Sequence, residues 1–451
     1  MKVYLGICCS HNATASLMVN GEIIIAVMEE RFTNVKNFQG YPKQSIDYCI
    51  QYAKKKNLKI DVAAFTTINL PIFHFKYPLN HFFSIEDYHN FYGKEFYDKL
   101  LKNKNVDSYF KKISKDKRNK EDLYIDYKKI KPKDYFNNYA LTRKLHTDFL
   151  KRQSQGLIDD IQFLDHHTCH AFYSYYSANS RKKNSCIVSI DSEGDQINQS
   201  IWLLKNNKIM NIVRNDQCDL GRIYKFITLI LNMKPEEHEF KVMGLAAYSK
   251  KNYVQKVYEE IFKNILKFKG IKIVHNKRPK NLYSFLKKKC ENIRFDNVAG
   301  ALQYYLEEMI IELLKKINKK YKIRSFYFSG GVAMNVKMFN VISKLKFVDY
   351  LHVPPSAADE SLCMGGCYYL ARNERSKPIT NIYLGRDLHN NKKKINLNNL
   401  KKSFSSKNYK ILKNVSHSTI ASLLASNNII AVARGKEEFG ARALGNRSII
   451  A

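Results

Sequence analysis

The sequence predicts an α/β protein built from two copies of one lobe. Residues 3–28 read as a strand, a polar loop and a hairpin, and residues 186–213 repeat that order. After each copy, apolar runs with helical spacing alternate with short β-rich runs. At 451 residues the chain also exceeds what one hydrophobic core usually organises, which favours two or three domains.

In chain order, Val3 to Cys9 is a β-rich run and Ser10 to Ala15 a polar loop. Ser16 to Val19 and Ile23 to Met28 flank Asn20-Gly21, a strong hairpin signal because a type I′ turn needs positive φ at both central residues. Pro42 begins a helical pattern with Ile46, Cys49, Ile50 and Ala53 on one face, and Val62 to Ile68 returns as a strand. From about 77 to 151, aromatic and lysine content rises and periodicity fades, so an inserted, partly helical segment is expected there. The second copy places strands at Cys186 to Ile190, Ser200 to Leu204 and Ile209 to Val213. A polar loop at 191–196 and an Asn206-Asn207 turn separate them.

A long amphipathic helix follows from Asn297 to Lys320, then a strand at Phe326 to Phe328, the turn Ser329-Gly330-Gly331 and a helix near 334–345. A strand from Val348 to Val353 and a helix from about Asp359 to Ala371 complete the pattern. Residues 376–400, rich in lysine and asparagine, read as a linker or an inter-domain strand pair, and a new β-rich unit begins near Ile429. Two such lobes would face each other across a cleft with both polar loops pointing into it. Actin-like and sugar-kinase-like folds grip nucleotide phosphates with loops so placed, and a strand, Gly-Gly, helix sequence approaches a nucleotide in the same way.

Composition excludes several classes. With 45% hydrophobic and 26% charged residues, collagen-like, disordered and low-complexity readings fall away. No apolar run approaches the roughly 20 residues a membrane span requires, since Ile23 to Met28 stops at Glu29-Glu30. The short apolar N-terminus continues as a hairpin rather than as an export signal. Nine cysteines without a CxxC pair suggest packed thiols in a reducing cytoplasm. The net charge of +35 is spread as lysine clusters along the whole length with no nucleic-acid module, so it reads as solvated surface rather than a polyanion site.

The chemistry concentrates in a few motifs. Asp165-His166-His167-Thr168-Cys169-His170 opens a helical stretch, and His166 and His170, four apart, would project from one face as a divalent-metal pair. The same spacing also suits one packed and one capping histidine. Iron, zinc and manganese all fit imidazole with carboxylate. Asp191 begins Asp-Ser-Glu-Gly-Asp after a strand, and Asp359 follows another, either as a ligand or as a helix N-cap. Gly330 and Gly331 permit close backbone approach, and Asn335 could bond a nucleoside.

Five ordered motifs, SHNATASL with NGEI and EERFT, DHHTCHA, DSEGD, the pair KVMGLAAY and FSGGVAMN, and GKEEFGARALGNRSI, together resemble the ATP-dependent O-carbamoyltransferases that include the tobramycin and nodulation-factor enzymes. The resemblance implies duplicated actin-like lobes of the ribonuclease-H-like class in residues 1–375, a linker at 376–400, and the beginning of a YrdC-like α/β domain in 401–451. It implies that carbamoyl phosphate and ATP form carbamoyl adenylate, whose carbamoyl group passes to a hydroxyl of a sugar-like small molecule at a metal-containing site. His166, His170, Asp191 and Asp359 are then the expected ligands of Fe2+ or another divalent transition metal. Lys36 is expected near the adenylate, and His11 as the base for the acceptor or as a loop residue orienting backbone. Asp191, Gly330, Gly331 and Asn335 are expected to contact the nucleotide, and Arg442, Asn446, Arg447 and Ser448 a phosphate or carbamoyl phosphate, or else to form a polar docking turn.

The pattern departs from the family in places. SHNA stands where HDA is commoner, SAADES where a glycine-flanked acidic pair is usual, and Ala441 where proline is usual. A complete second domain needs on the order of 100 further residues, so no carbamoyl-phosphate-driven exchange of ATP and pyrophosphate is expected from this chain. Threonylcarbamoyl transfer to tRNA and a non-catalytic nucleotide-dependent binding module are the competing readings.

Overall fold

The computed structural model describes residues 1–93, 112–119, 124–125, 130–131, 134–135, 138–205, 208–387 and 410–451. The first lobe's sheet comprises β1 (Val3–Cys8), β2 (Thr14–Val19), β3 (Glu22–Met28), β4 (Ile60–Phe65) and β5 (Ile158–Phe163), in the order β3-β2-β1-β4-β5. In the second lobe, β6 (Ser185–Gly194), β7 (Ile197–Lys205) and β8 (Lys208–Asn215) precede a small hairpin of β9 (Leu266–Lys269) and β10 (Lys272–His275), then β11 (Ser325–Ser329) and β12 (Tyr350–His352). Its sheet order, β8-β7-β6-β11-β12, is the same arrangement. In each lobe the first three strands are antiparallel neighbours and the last two run parallel to the first. This repeat is the duplicated actin-like architecture expected from the sequence.

Local chemistry explains the elements. Asn20 and Gly21 both take positive φ, 49° and 77°, so the β2–β3 turn forms as their residue types require. The Lys43–Lys55 helix buries Ile46, Cys49, Ile50 and Ala53, the stripe read from spacing. Its first turn is held by the buried Glu29 carboxylate, which accepts from the Gln44 and Ser45 amides. β1 is buried on both faces, as suits a strand covered by helices on either side.

One expectation needs correction: residues 191–194 are not loop. β6 continues through Asp191 to Gly194 with a register irregularity after Ile190, and only Asp195 and Gln196, at φ 49° and 68°, form the turn. The expected helix near 334–345 is a 3-10 turn, Gly331–Met334, followed by a helix at Val336–Ile342. Within 77–151 the described residues hold helices at Leu79–Phe82, Ile85–Gly93 and, at its far end, Tyr139–Ser154. Much of that segment, the Asn206-Asn207 turn and the linker stretch 388–400 lie outside the described residues.

Two helices occupy the seam between the sheets. The histidine helix, His166–Tyr176, packs on β6 and β11 of the second lobe. The Leu362–Leu370 helix packs on β1 and β2 of the first, and the two helices pack on each other. Tyr4, Met18, Cys169, Tyr173, Cys363 and Cys367 share that apolar core. Near the C-terminus a short pair joins Ile430–Ala431 to Ile449–Ile450. Phe439, 1% exposed, plugs into the first lobe's core. Among the described residues no helix is long and apolar enough to cross a membrane.

Candidate active site

The histidine helix starts at Asp165, whose side chain accepts from the Thr168 amide at 2.8 Å as an N-cap. From the first helical residue onward the geometry separates three imidazoles. His166 and His170 lie on one face with ring centroids 4.7 Å apart. His167 turns away, bonded to Ser189 Oγ and the Ile197 carbonyl, and burial with the neighbouring imidazoles holds its pKa down near 3. His167 is therefore the packed histidine of the motif.

The two carboxylates arrive from different elements, one from a strand and one from the 3-10 turn Asp359–Ser361. Asp191, on β6, brings Oδ2 to 3.3 Å from His170 Nε2, and Asp359, after β12, brings Oδ1 to 3.4 Å from the same atom. His166 Nε2 lies 3.5 Å from Asp359 Oδ1 and 3.9 Å from Asp191 Oδ2. One ligand atom from each of the four buried residues lies within 4.8 Å of the other three. Neither Nε2 finds a directed hydrogen bond although both are buried. Orphaned buried imidazole nitrogens facing two carboxylates are the donor set of a divalent metal site, so the residues fit such an ion. Burial opposes charging His166, yet Asp359 and Asp191 outweigh it and hold its pKa up near 9, a measure of how strongly the cluster attracts positive charge. Asp359 makes no N-cap bond, so its alternative role as a helix cap is not realised.

The first lobe reaches the same cluster through the loop after β1. Ser10 Oγ donates to Asp359 Oδ2 at 2.9 Å, and His11 Nδ1 lies 3.7 Å from that oxygen. Asn12 takes φ 40°, a conformation asparagine tolerates, which turns the chain back toward β2. Burial resists charging His11, but Glu236 and Asp359 prevail and raise its pKa. Glu236 is itself held by Lys225 and by Asn80 Nδ2 at 2.9 Å. The loop after β1 thus reaches the cluster, with Asp359 between His11 and the histidine pair.

The glycine turn supports Asp191 directly. Gly331 N donates to Asp191 Oδ2 at 3.0 Å. Gly330 adopts φ 90°, and a Cβ there would sit 2.4 Å from the Ile190 carbonyl oxygen. Asn335 lies behind this turn: its Oδ1 caps the Val336–Ile342 helix through Met338 N, and its amide exchanges two hydrogen bonds with Gln303. Lys36 is half exposed with Nζ 3.4 Å from Glu30 Oε2.

The C-terminal candidates form a separate loop wrapped around the buried Glu438 carboxylate. Glu438 accepts from Asn446 N, Leu444 N and Arg447 Nε at 2.7–2.8 Å. Ser448 Oγ accepts from Gly445 N. Arg442 instead stacks on Phe240, its guanidinium 3.7 Å from the ring centre. Sequence reasoning missed Ser10, Asp195 and Glu236. Asp195 closes the DSEGD motif and accepts from His166 N at 2.8 Å, and Glu236 lies in the acidic run just before KVMGLAAY, so both stood beside residues already singled out.

Comparison with known proteins gives the family. Residues 3–367 match the carbamoyltransferase N-terminus and residues 421–451 the carbamoyltransferase C-terminus. An uncharacterized protein of Methanocaldococcus jannaschii is 27% identical over 99% of this chain and 72% of its own length. Nodulation protein NolNO of Sinorhizobium fredii is 24% identical over 98% of this chain and 58% of its own length. Among solved structures, component A of the Acidaminococcus fermentans (R)-2-hydroxyglutaryl-CoA dehydratase aligns with a TM-score of 0.40 at 14% identity, covering 82% of this chain and 97% of that one. Full-length HypF aligns with a TM-score of 0.41 at 10% identity, covering 82% of this chain and 55% of that one. With a family match across most of its length, the chain belongs to the carbamoyltransferases.

Proposed function

We propose that this carbamoyltransferase takes its group from carbamoyl adenylate, made from carbamoyl phosphate and ATP, and passes it to a hydroxyl of a sugar or similar small metabolite. The observation that carries this reading is the buried His166, His170, Asp191 and Asp359 cluster with His11 at its edge. Those four residues would hold Fe2+ or another divalent transition metal, which when bound supplies positive charge to the donor's phosphate and carbonyl oxygens. Residues 1–375 would carry transfer and residues from 401 the start of the activating domain, with 376–400 between them.

The chain's own residues divide the remaining work. His11 Nδ1 faces Asp359, which leaves Nε2 to take the proton from the acceptor hydroxyl as the new carbamoyl–oxygen bond forms and the anhydride bond to AMP breaks. Lys36, tethered only loosely to Glu30, can reach a donor phosphate. Gly330 and Gly331 bring backbone close to the nucleotide, and Asn335 keeps that turn in shape from behind. Stacking on Phe240 occupies the face of Arg442 and leaves its edge donors for an anion. Burial of the cluster keeps water from the mixed anhydride.

The test supplies each donor separately to the purified chain with a panel of sugars and sugar-containing metabolites. Product carbamate from preformed carbamoyl adenylate, detected by mass spectrometry, supports the reading. Failure across the panel, with salt-sensitive retention on RNA, would move the assignment to transfer onto tRNA.

A further inference from the structure

We infer that Asp195 is a positioning residue whose carboxylate fixes the first turn of the histidine helix and so aims His166 at Asp191 and Asp359. The first amides of a helix have no acceptor within it. Asp165 serves one of them, Thr168 N, and Asp195 Oδ2 serves another, His166 N, at 2.8 Å. The same carboxylate gathers the chain just beyond β4: Oδ1 accepts from Thr67 Oγ1 and Asn69 N, each at 2.7 Å, and Ile68 N is shared between both oxygens at 3.1 Å. One side chain on a second-lobe hairpin therefore ties the end of a first-lobe strand to the start of the helix.

The residue before it holds the other end of His166. A Cβ on Gly194 would lie 2.2 Å from His166 Cδ2 and 2.4 Å from Nε2, so the imidazole rests flat against the bare Gly194 backbone. Gly194 and Asp195 thus grip both the ring and the amide of one residue. His170 has no such need. It sits a turn further along, its side chain 0% exposed, with its carbonyl fixed by Ser329 Oγ at 2.9 Å. Asparagine at 195 would replace one acceptor oxygen with a donor, leaving at least one of the converging N–H or O–H groups facing another hydrogen. The backbone of His166 would shift and its ring would lose its line to the carboxylates.

This inference rests on the metal reading above, and Co2+ titration of the full chain, followed by its visible d–d absorption, tests the two apart. Wild-type protein that shows no d–d band sinks the metal reading itself. If wild type binds, Asp195→Asn should weaken Co2+ about 10–100-fold and alter the band. It should add nothing further in a His166→Ala background, because its effect passes through that ring. Thr67→Val, which removes a donor remote from the helix, should leave the band in place. An unchanged affinity and band in Asp195→Asn, or an equal loss with and without His166, overturns the assignment. Should Asp195→Asn fail to fold, Asp195→Glu carries the test: its carboxylate keeps the charge but, one methylene longer, cannot meet His166 N in the same place, so the band should change, and an unaltered band and affinity overturn the assignment equally.

Discussion

Between β1 and β2 the first lobe turns through residues 9–13, whereas between β6 and β7 the second turns through 195 and 196 alone. The sheets share one strand order, so these loops occupy equivalent places. Their contributions differ in kind. The longer loop sends Ser10 and His11, a proton donor and a titratable ring, toward Asp359. The shorter one keeps the chain extended through Asp191 and closes on Asp195, so it delivers carboxylates. The two frames match, and the loops differ in what they present: one a hydroxyl and an imidazole, the other carboxylates.

Removing a group from each side tests that division. The largest effect should follow from His170→Ala, which should abolish the roughly one transition metal per chain expected from elemental analysis and with it detectable transfer. Metal retained in that variant would return the histidines to a packing role. Next, His11→Gln should lower transfer about 10²–10⁴-fold while metal content stays at the wild-type level. A parallel loss of metal would show that the first-lobe loop belongs to the anionic wall after all.

A smaller effect is expected from Gly330→Ala, which forces a side chain into φ 90° against the Ile190 carbonyl. Denaturant unfolding should show a loss of about 1–3 kcal/mol, with weaker metal binding because Gly331 N no longer meets Asp191 squarely. An unchanged midpoint would mean the turn relaxes without disturbing β6. The smallest should come from Ser10→Ala, which removes one bond to Asp359 and should weaken metal a few-fold by equilibrium dialysis. A loss as large as that of His170→Ala would place Ser10 among the ligands.

Much of this frame was legible because it is written locally. Asn20-Gly21 carries its own turn, Ile46 to Ala53 its own stripe, and Asp165 its own cap. His166 and His170 stood out by their spacing of four, whereas Asp191 and Asp359 joined them as expected ligands only through the resemblance of their motifs to a known family. The reach of Asp195 was not legible, since its partners Thr67 and Asn69 are 128 and 126 residues away and meet it only once the lobes pack. The same holds for Glu236, whose partner Asn80 is 156 residues away. DSEGD read as loop because polar composition outweighs β propensity in a local window, while in the fold β6 runs on past an irregularity after Ile190 and pairs again at Gly194 with Ile197 before the turn at Asp195. The pairing of Asn335 with Gln303 was not legible either, because a polar residue after Gly-Gly does not reveal its partner on a distant helix.

All nine cysteines are buried, and burial pushes the Cys290, Cys363 and Cys367 thiols up to about 12. At neutral pH they present neither a thiolate nor a path to one, so an alkylating reagent in solution has nothing to attack while the molecule stays closed. Each opening that bares a thiol leaves a permanent label. Cys363 and Cys367 sit in the seam between the lobes and Cys290 lies in the core of the main cluster, so the order in which labels accumulate becomes a clock for which part of the molecule opens first.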